Sequence, residues 1–271
     1  MNNTLKVSEA ELYYEVRGSG PLLVLVGAPM DADAFAPLAE LLASDYTVLT
    51  TDPRGVKRSK LEPGGTSRPE QRADDLAALI RYVDAGPAVV LGSSGGAVSA
   101  LALAQGHPDV VRTVIAHEPP LDRLLPDADE LLAQSEKLMA DYLAGDVTGA
   151  WKQFFALANI QLPDEVVEMM FGGERDPEQE ATERFWFGHE MRESISWVPD
   201  VDRLREVDVV VGIGEESTGQ LCDRTSTALA AELGVEPTRY PGDHTGFVDH
   251  PEAFAKALRA QLAEAGFRPS V

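Results

Sequence analysis

The fold of this chain is decided by the stretch Val90-Leu91-Gly92-Ser93-Ser94-Gly95-Gly96-Ala97. It has the pattern G-x-S-x-G and lies between an apolar run typical of a buried strand and an alanine-rich segment typical of a helix. A serine on such a turn is held in a strained backbone conformation, and only small residues at Gly92 and Gly96 let the turn pass close to its neighbours. We therefore predict that Ser94 is an exposed nucleophile above a sheet.

Short apolar runs on both sides of this turn alternate with helical patterns. The predicted strands are Leu22 to Val26, Tyr46 to Thr50, Ala88 to Leu91, Val110 to Ala116 and Val207 to Ile213. The predicted helices are Ala34 to Leu42, Gln71 to Val83, Ala97 to Ala104 and Arg224 to Leu233. This alternation indicates an α/β fold with a mostly parallel sheet and helices on both faces.

Residues 119–203 break the alternation, because they contain apolar positions at helical spacing and no clear strand. They hold all three tryptophans, Trp151, Trp186 and Trp197, and 19 acidic residues against 7 basic ones. We predict an inserted helical cap at 119–203, acidic outside and aromatic inside. The core domain would then comprise residues 1–118 and 204–271.

The composition argues against several classes of protein, including nucleic-acid-binding and membrane proteins. The 271 residues carry a formal net charge of −22, which repels nucleic acid and anionic membranes. No run approaches the roughly 20 apolar residues of a membrane helix, and the first residues lack signal-peptide features. The single cysteine, Cys222, excludes an internal disulfide. We expect a cytoplasmic protein with a small-molecule substrate, no nucleic-acid or membrane partner, and a homodimer as one option.

A serine nucleophile requires a base, and the chain has five histidines. His244 lies in a loop, residues 241–247, between a predicted strand and the terminal helix. Parallel strands place such loops at the edge where the Ser94 turn emerges, so His244 is the predicted base. The other four fit structural positions: His107 at a helix end, His250 on the surface, His189 in the predicted cap segment and His117 at a strand end.

With these features the chain resembles the α/β-hydrolase superfamily along nearly its whole length. Gly27-Ala28-Pro29 is similar to the H-G-x-P loop of that family, with Val26 in place of the histidine. Residues 52–59 resemble its D-x-R-G-x-G-x-S segment, with Lys57 where a glycine is usual. The resemblance implies an eight-stranded, mostly parallel sheet and an oxyanion hole formed by the N–H groups of Ala28 and Gly95.

The acid that orients the histidine departs from the family pattern. The usual G-x-x-D segment is here Gly214-Glu215-Glu216-Ser217, with serine in the place of aspartate. Glu118 is the preferred candidate, because it ends the strand after the Ser94 helix at the same sheet edge. His117 and Glu118 are neighbours and would point to opposite faces. Glu215 or Glu216, and the absence of an acid, remain alternatives.

A second resemblance supports Glu118. The H-E-x-P segment that begins at His117, together with the S-S-G turn, is similar to zearalenone lactonases. This resemblance implies a Ser-Glu-His triad, and it aligns Trp186 with a substrate-contacting lid tryptophan. We expect Met30, Trp186 and His189 to bind the substrate.

The predicted reaction is hydrolysis of a carboxylic ester or lactone through an acyl-enzyme on Ser94. The expected substrate is an apolar small molecule that can contain an aromatic ring. This chemistry needs no metal and no organic cofactor, and the sequence has neither H-E-x-x-H nor a glycine-rich nucleotide loop. Three alternatives stay open: a carbon–carbon bond hydrolase, a cofactor-free perhydrolase, and a slow-turnover ligand sensor that signals through its cap to a protein partner.

Overall fold

The computed structural model describes residues 3–267 and has one mixed sheet at its centre. Its strands are β1 Thr4–Val7, β2 Ala10–Arg17, β3 Leu22–Val26, β4 Thr47–Thr51, β5 Lys60–Leu61, β6 Ala88–Ser93, β7 Val111–His117, β8 Asp208–Gly214 and β9 Thr238–Tyr240. Eight of them form the path β1-β2-β4-β3-β6-β7-β8-β9, and β5 pairs with β2 outside this path.

The helices surround this sheet and fill the interval between β7 and β8. They are α1 Ala36–Leu42, α2 Pro69–Val83, α3 Gly95–Gly106, α4 Ala128–Leu143, α5 Val147–Ala158, α6 Asp164–Phe171, α7 Pro177–Phe185, α8 Met191–Ile195, α9 Val201–Leu204, α10 Leu221–Leu233, α11 Gly246–Asp249 and α12 Pro251–Glu264. A π-helical turn, Trp186–Glu190, joins α7 to α8.

The strand directions confirm the predicted mostly parallel sheet. From β4 through β3, β6, β7 and β8 to β9 every pair is parallel, whereas β1, β2 and β5 pair antiparallel at one end. The ninth strand is the difference from the eight-stranded expectation. With two residues, β5 is too short to show a period-two pattern.

Two apolar layers explain why the central strands are continuous hydrophobic runs. In β3, Leu22, Val24 and Val26 pack into the layer beneath α2 and α3, whereas Leu23 and Leu25 pack into the layer beneath α1 and α12. Successive side chains point to opposite faces, so a strand covered on both sides must be apolar at every position. The carboxyl ends of these strands lead into the loops that contain Ala28, Ser94, Glu118 and His244.

Residues 119–203, here called the helical segment, contain only helices and turns and have an aromatic core of their own. Tyr142 stacks on Phe187 with ring centroids 4.1 Å apart, and Trp151 stacks on Phe171 at 4.4 Å. The predicted aromatic interior therefore forms this segment's own core. Among residues 3–267, no helix combines the length and apolarity needed to cross a bilayer.

Candidate active site

The turn between β6 and α3 has the geometry expected of a nucleophile elbow. Ser94 adopts φ 56° and ψ −128°, which is strained for a residue with a side chain. A Cβ at Gly92 would lie 2.3 Å from the Gly96 carbonyl oxygen, and one at Gly96 would lie 2.4 Å from the Val26 carbonyl oxygen. The two glycines are therefore required by close backbone approach.

The loop after β3 lies directly beside this elbow. A Cβ at Gly95 would lie 2.8 Å from the Ala28 carbonyl oxygen and 3.0 Å from Ala28 Cβ. Gly95 is the first residue of α3, whose N-terminus adds partial positive charge. Ala28, Ser94 and Gly95 all line one cavity, so the two predicted oxyanion donors are adjacent to the serine.

Ion pairs between charged side chains hold the segment that follows β4. Lys57 adopts φ 49°, the left-handed conformation that explains why glycine is usual at this position. Its ammonium contacts Asp31 at 2.9 Å and Asp33 at 2.6 Å. Arg58 Nε donates to the buried Asp52 at 2.7 Å. These ion pairs connect the loops that follow β3 and β4.

Glu118 follows β7 directly and turns its carboxylate toward His244. Its φ is +51°, and its side chain is fully buried. His244 Nδ1 lies 2.5 Å from Glu118 Oε2, and the Gly214 N–H donates to Oε1 at 2.8 Å. Both carboxylate oxygens are therefore occupied, and Nε2 is the ring nitrogen left for another partner.

This pairing shifts the pKa of both groups. Burial alone would raise the pKa of Glu118, but the hydrogen bond and charge of His244 outweigh it and hold that pKa far below its usual range. Burial alone would lower the pKa of His244, but Glu118 outweighs it and raises that pKa. The site is thus built around an ionised carboxylate that stabilises an imidazolium.

His117 is the last residue of β7, and its ring lies 6.4 Å from the His244 ring and edge-on to Phe247 and Phe254. It is fully buried and contacts Ser93 Oγ through Nδ1 at 3.0 Å. Burial lowers the pKa of His117 to about 4, so its ring is neutral at physiological pH. His117 therefore belongs to the core.

The other carboxylate candidates lie away from His244. Glu215 and Glu216 are exposed, and their backbone N–H groups donate to the Tyr240 and Gly242 carbonyls. These bonds extend the pairing beyond β8 and β9 and turn both side chains outward. Among the acid candidates, the structure brings Glu118 to the histidine.

A cavity of about 120 Å³ connects the elbow to the helical segment. Ser94, Glu118 and His244 line its floor, and its walls are mainly apolar: Pro120, Phe154, Leu157, Trp186, Met191 and Ile195. No hydrogen bond joins Ser94 Oγ to His244 among the described residues. Catalytic contacts of this kind often tighten only when substrate binds.

Of the three expected substrate contacts, Trp186 lines this cavity and the other two do not. Met30 packs, half buried, against the apolar layer that contains Phe35. His189 stacks on Phe185 with centroids 5.2 Å apart and lines a separate surface groove. Within the π-helical turn, Trp186 thus faces the cavity whereas His189 is exposed on the surface.

Four polar residues of the cavity were not predicted from the sequence: Asp122, Ser135, Ser194 and Cys222. They lie on elements that pack over Ser94, and no sequence motif predicts this packing. Cys222, Glu118 and His244 have potential metal-ligating atoms within 4.8 Å of one another. Burial, with the nearby Glu118 carboxylate, raises the pKa of the Cys222 thiol, which disfavours the thiolate that a metal would need.

A buried ion pair joins the helical segment to the core. Arg72 Nη1 lies 3.3 Å from Glu190 Oε1, and both side chains are almost fully buried. Arg72 also donates to Ser194 at 2.9 Å and to Ser99 at 2.8 Å, and Ser99 donates to the Gly95 carbonyl at 3.0 Å. This chain of contacts, which we call the seam, links the π-helical turn to the elbow. The sequence gives no motif for it.

Known proteins are similar to this chain in sequence and in fold. Residues 22–257 match the alpha/beta hydrolase family. The chain is 33% identical to the hydrolase YraK of Bacillus subtilis (strain 168), covering 96% of each chain, and 30% identical to a zearalenone hydrolase of Bionectria ochroleuca, covering 90% of each. The crystal structure of an alpha/beta hydrolase from Sphaerobacter thermophilus superimposes with a TM-score of 0.69 at 26% identity, over 97% of this chain and 99% of that one.

The family match extends from β3 to the terminal helix and so includes the elbow, Glu118 and the His244 loop. Two relatives at 30% identity or more cover nine-tenths or more of the chain. The chain therefore belongs to the alpha/beta hydrolase family.

Proposed function

We propose that this hydrolase cleaves a carboxylic ester or lactone of an apolar small molecule through an acyl-enzyme on Ser94. The observation that carries the proposal is the 2.5 Å contact between His244 Nδ1 and the buried Glu118, at the floor of the same cavity as Ser94. A carboxylate in this position fixes the imidazole tautomer and stabilises its charged form.

In the first half of the reaction, Ser94 Oγ attacks the carbonyl carbon and its proton passes to His244 Nε2. The carbonyl oxygen becomes an oxyanion between the N–H groups of Ala28 and Gly95, each worth about 3 kcal/mol of transition-state stabilisation. The C–O bond to the leaving group then breaks, and His244 returns its proton to the departing alkoxide. The product is an acyl-enzyme and a free alcohol.

In the second half, His244 accepts a proton from water, which attacks the acyl carbonyl. The same oxyanion hole holds the second tetrahedral intermediate, and its collapse breaks the bond to Ser94 Oγ. His244 returns the proton to Ser94, and the acid is released. Glu118 stays ionised throughout, in keeping with its lowered pKa.

The walls of the cavity support an apolar substrate. Phe154, Leu157 and Trp186 contribute aromatic and aliphatic surface from the helical segment, which would act as the cap over Ser94. The zearalenone hydrolase relative, by its name, acts on zearalenone, and we extend only the ester or lactone bond type to this chain. Among the lining residues described, none is a lysine or arginine, which disfavours the carboxylated substrates of carbon–carbon hydrolases.

The test uses Ser94→Ala and a panel of aromatic esters and lactones. We expect wild-type protein to turn over many equivalents and to form an acyl adduct on Ser94 by mass spectrometry, and Ser94→Ala to lose both while keeping its melting temperature. The matched control is Ser93→Ala, which removes the neighbouring hydroxyl bonded to His117 and should keep most of the turnover. Retained activity in Ser94→Ala would refute the proposal, and a single slow turnover would favour the sensor alternative.

A further inference from the structure

Within residues 3–267, two polar side chains in the wall of the cavity have a buried atom without a hydrogen-bond partner. Asp122 lies in the short helical turn after β7, and Ser135 lies on α4, which packs against that turn. Both are only 1% exposed and both line the cavity that contains Ser94. Among the described residues, Asp122 Oδ1 and Ser135 Oγ have no hydrogen-bond partner.

Buried polar atoms are nearly always satisfied, because leaving one without a partner costs its full desolvation penalty. Apart from Ser94 and His244, the other polar side chains of this wall already have partners. Ser194 accepts from Arg72, Glu118 accepts from His244, and the Cys222 thiol faces Gln220. Away from Ser94 and His244, Asp122 and Ser135 are thus the groups whose hydrogen-bonding capacity is open to a molecule in the cavity.

We propose that Asp122 and Ser135 form a polar subsite that hydrogen-bonds a hydroxyl group of the substrate, remote from the bond that is cleaved. This inference rests on the proposed function and deepens it, because it makes the substrate a hydroxylated ester or lactone. A hydroxyl group both donates and accepts, and so can satisfy a carboxyl and a serine together.

The electrostatics of Asp122 favour a neutral group over a cation. Burial raises the pKa of Asp122 to about 7, with Arg224 opposing and Asp127 reinforcing the shift. Those two residues also form an exposed ion pair with each other at 2.6 Å. Near neutral pH the buried carboxyl therefore retains a large protonated fraction, which can donate as well as accept a hydrogen bond.

The experiment compares benzyl phenylpropanoate with its meta- and para-hydroxy isomers on either ring, and with the matching aminomethyl esters. Hydrolysis by wild-type protein gives kcat/KM ratios, and calorimetric binding to Ser94→Ala gives affinity ratios without turnover. We expect one hydroxy isomer to be preferred over the parent ester by about tenfold or more in both ratios. Asp122→Leu and Ser135→Ala should bring the ratio toward one, and Asp122→Asn should retain part of it.

The matched control is Ser226→Ala, because Ser226 is also buried and unpartnered within residues 3–267 but does not line the cavity. It should leave the preference unchanged. The proposal is wrong if no isomer is preferred, if an aminomethyl ester is preferred, or if the preference survives in the Asp122→Leu/Ser135→Ala variant. The two failures can be told apart, since lack of hydrolysis with intact selective binding would count against the proposed function alone.

Discussion

Glu118 and Glu190 are both buried glutamates beside one basic side chain, yet they differ in how their oxygens are satisfied. At the strand edge, Glu118 accepts from His244 at 2.5 Å and from the Gly214 N–H at 2.8 Å. In the seam, Glu190 Oε1 lies 3.3 Å from Arg72, and Oε2 has no partner among the residues described.

The pKa values follow this difference. Burial raises the pKa of both glutamates; at Glu118 the hydrogen bond and charge of His244 together outweigh it and lower the pKa, whereas at Glu190 burial outweighs Arg72 and the pKa is raised. A close hydrogen bond from the cation, added to the effect of its charge, therefore favours the ionised form of the buried Glu118 carboxylate. This difference supports the proposed catalytic role of the Glu118–His244 pair, whereas the seam joins the helical segment to the core.

The largest expected effect comes from breaking the strand-edge pair. Glu118→Gln keeps the side-chain shape but removes the negative charge, so His244 loses both its fixed tautomer and the stabilisation of its imidazolium. We expect kcat to fall by about 10³–10⁴-fold, as measured by steady-state kinetics on the best ester of the panel.

The matched control is Glu216→Gln, which makes the same chemical change on an exposed side chain of the adjoining loop. It should change kcat little. If Glu216→Gln were the damaging substitution and Glu118→Gln were not, the acid would have to be reassigned to the loop after β8.

Breaking the seam should affect stability before chemistry. Arg72→Met leaves Glu190 buried without a counter-charge, and we expect the free energy of unfolding to fall by about 3–5 kcal/mol in urea titrations. Replacing both residues by methionine should cost less, because no charge is then left buried.

Arg81→Met is the control for this change, since Arg81 lies on the same helix, α2, and forms an exposed ion pair with Asp109 at 2.8 Å. Exposed pairs contribute little, so its unfolding transition should stay close to wild type. An equal loss of unfolding free energy in Arg72→Met and Arg81→Met would show that the buried seam stabilises the fold no more than an exposed ion pair does.

A smaller effect is expected within the π-helical turn. Trp186→Ala removes cavity wall from above Ser94, and we expect KM to rise by about tenfold with a lesser change in kcat. His189→Ala changes the same turn on its outward side and should leave KM unaltered. A rise in KM for His189→Ala would instead indicate that His189 contacts the substrate, as expected from the sequence.

The sequence predicted the parts of this molecule that local rules determine. Continuous apolar runs such as Leu22 to Val26 require cover on both faces, and this is observed in β3. The G-x-S-x-G pattern predicted the strained turn at Ser94. Even Glu118 could be chosen, because the end of a parallel strand fixes the sheet edge at which its side chain lies.

The parts that local rules do not determine were missed. Arg72 and Glu190 are 118 positions apart in sequence and meet only when the helical segment packs on α2. Helical periodicity places Trp186 and His189 close together in the segment, but in the folded structure they line different surfaces. Asp122 and Ser135 resemble ordinary polar surface positions until the tertiary structure buries them.

The central claim is that the Glu118 carboxylate stabilises the charged form of His244, and NMR titration of the His244 imidazole tests it most directly. In wild-type protein the pKa of His244 should lie above the value of about 6.5 for a free histidine, because Glu118 outweighs burial. In Glu118→Gln the burial effect remains and the carboxylate is lost, so the pKa should fall. An unchanged or higher pKa in the variant would contradict the account.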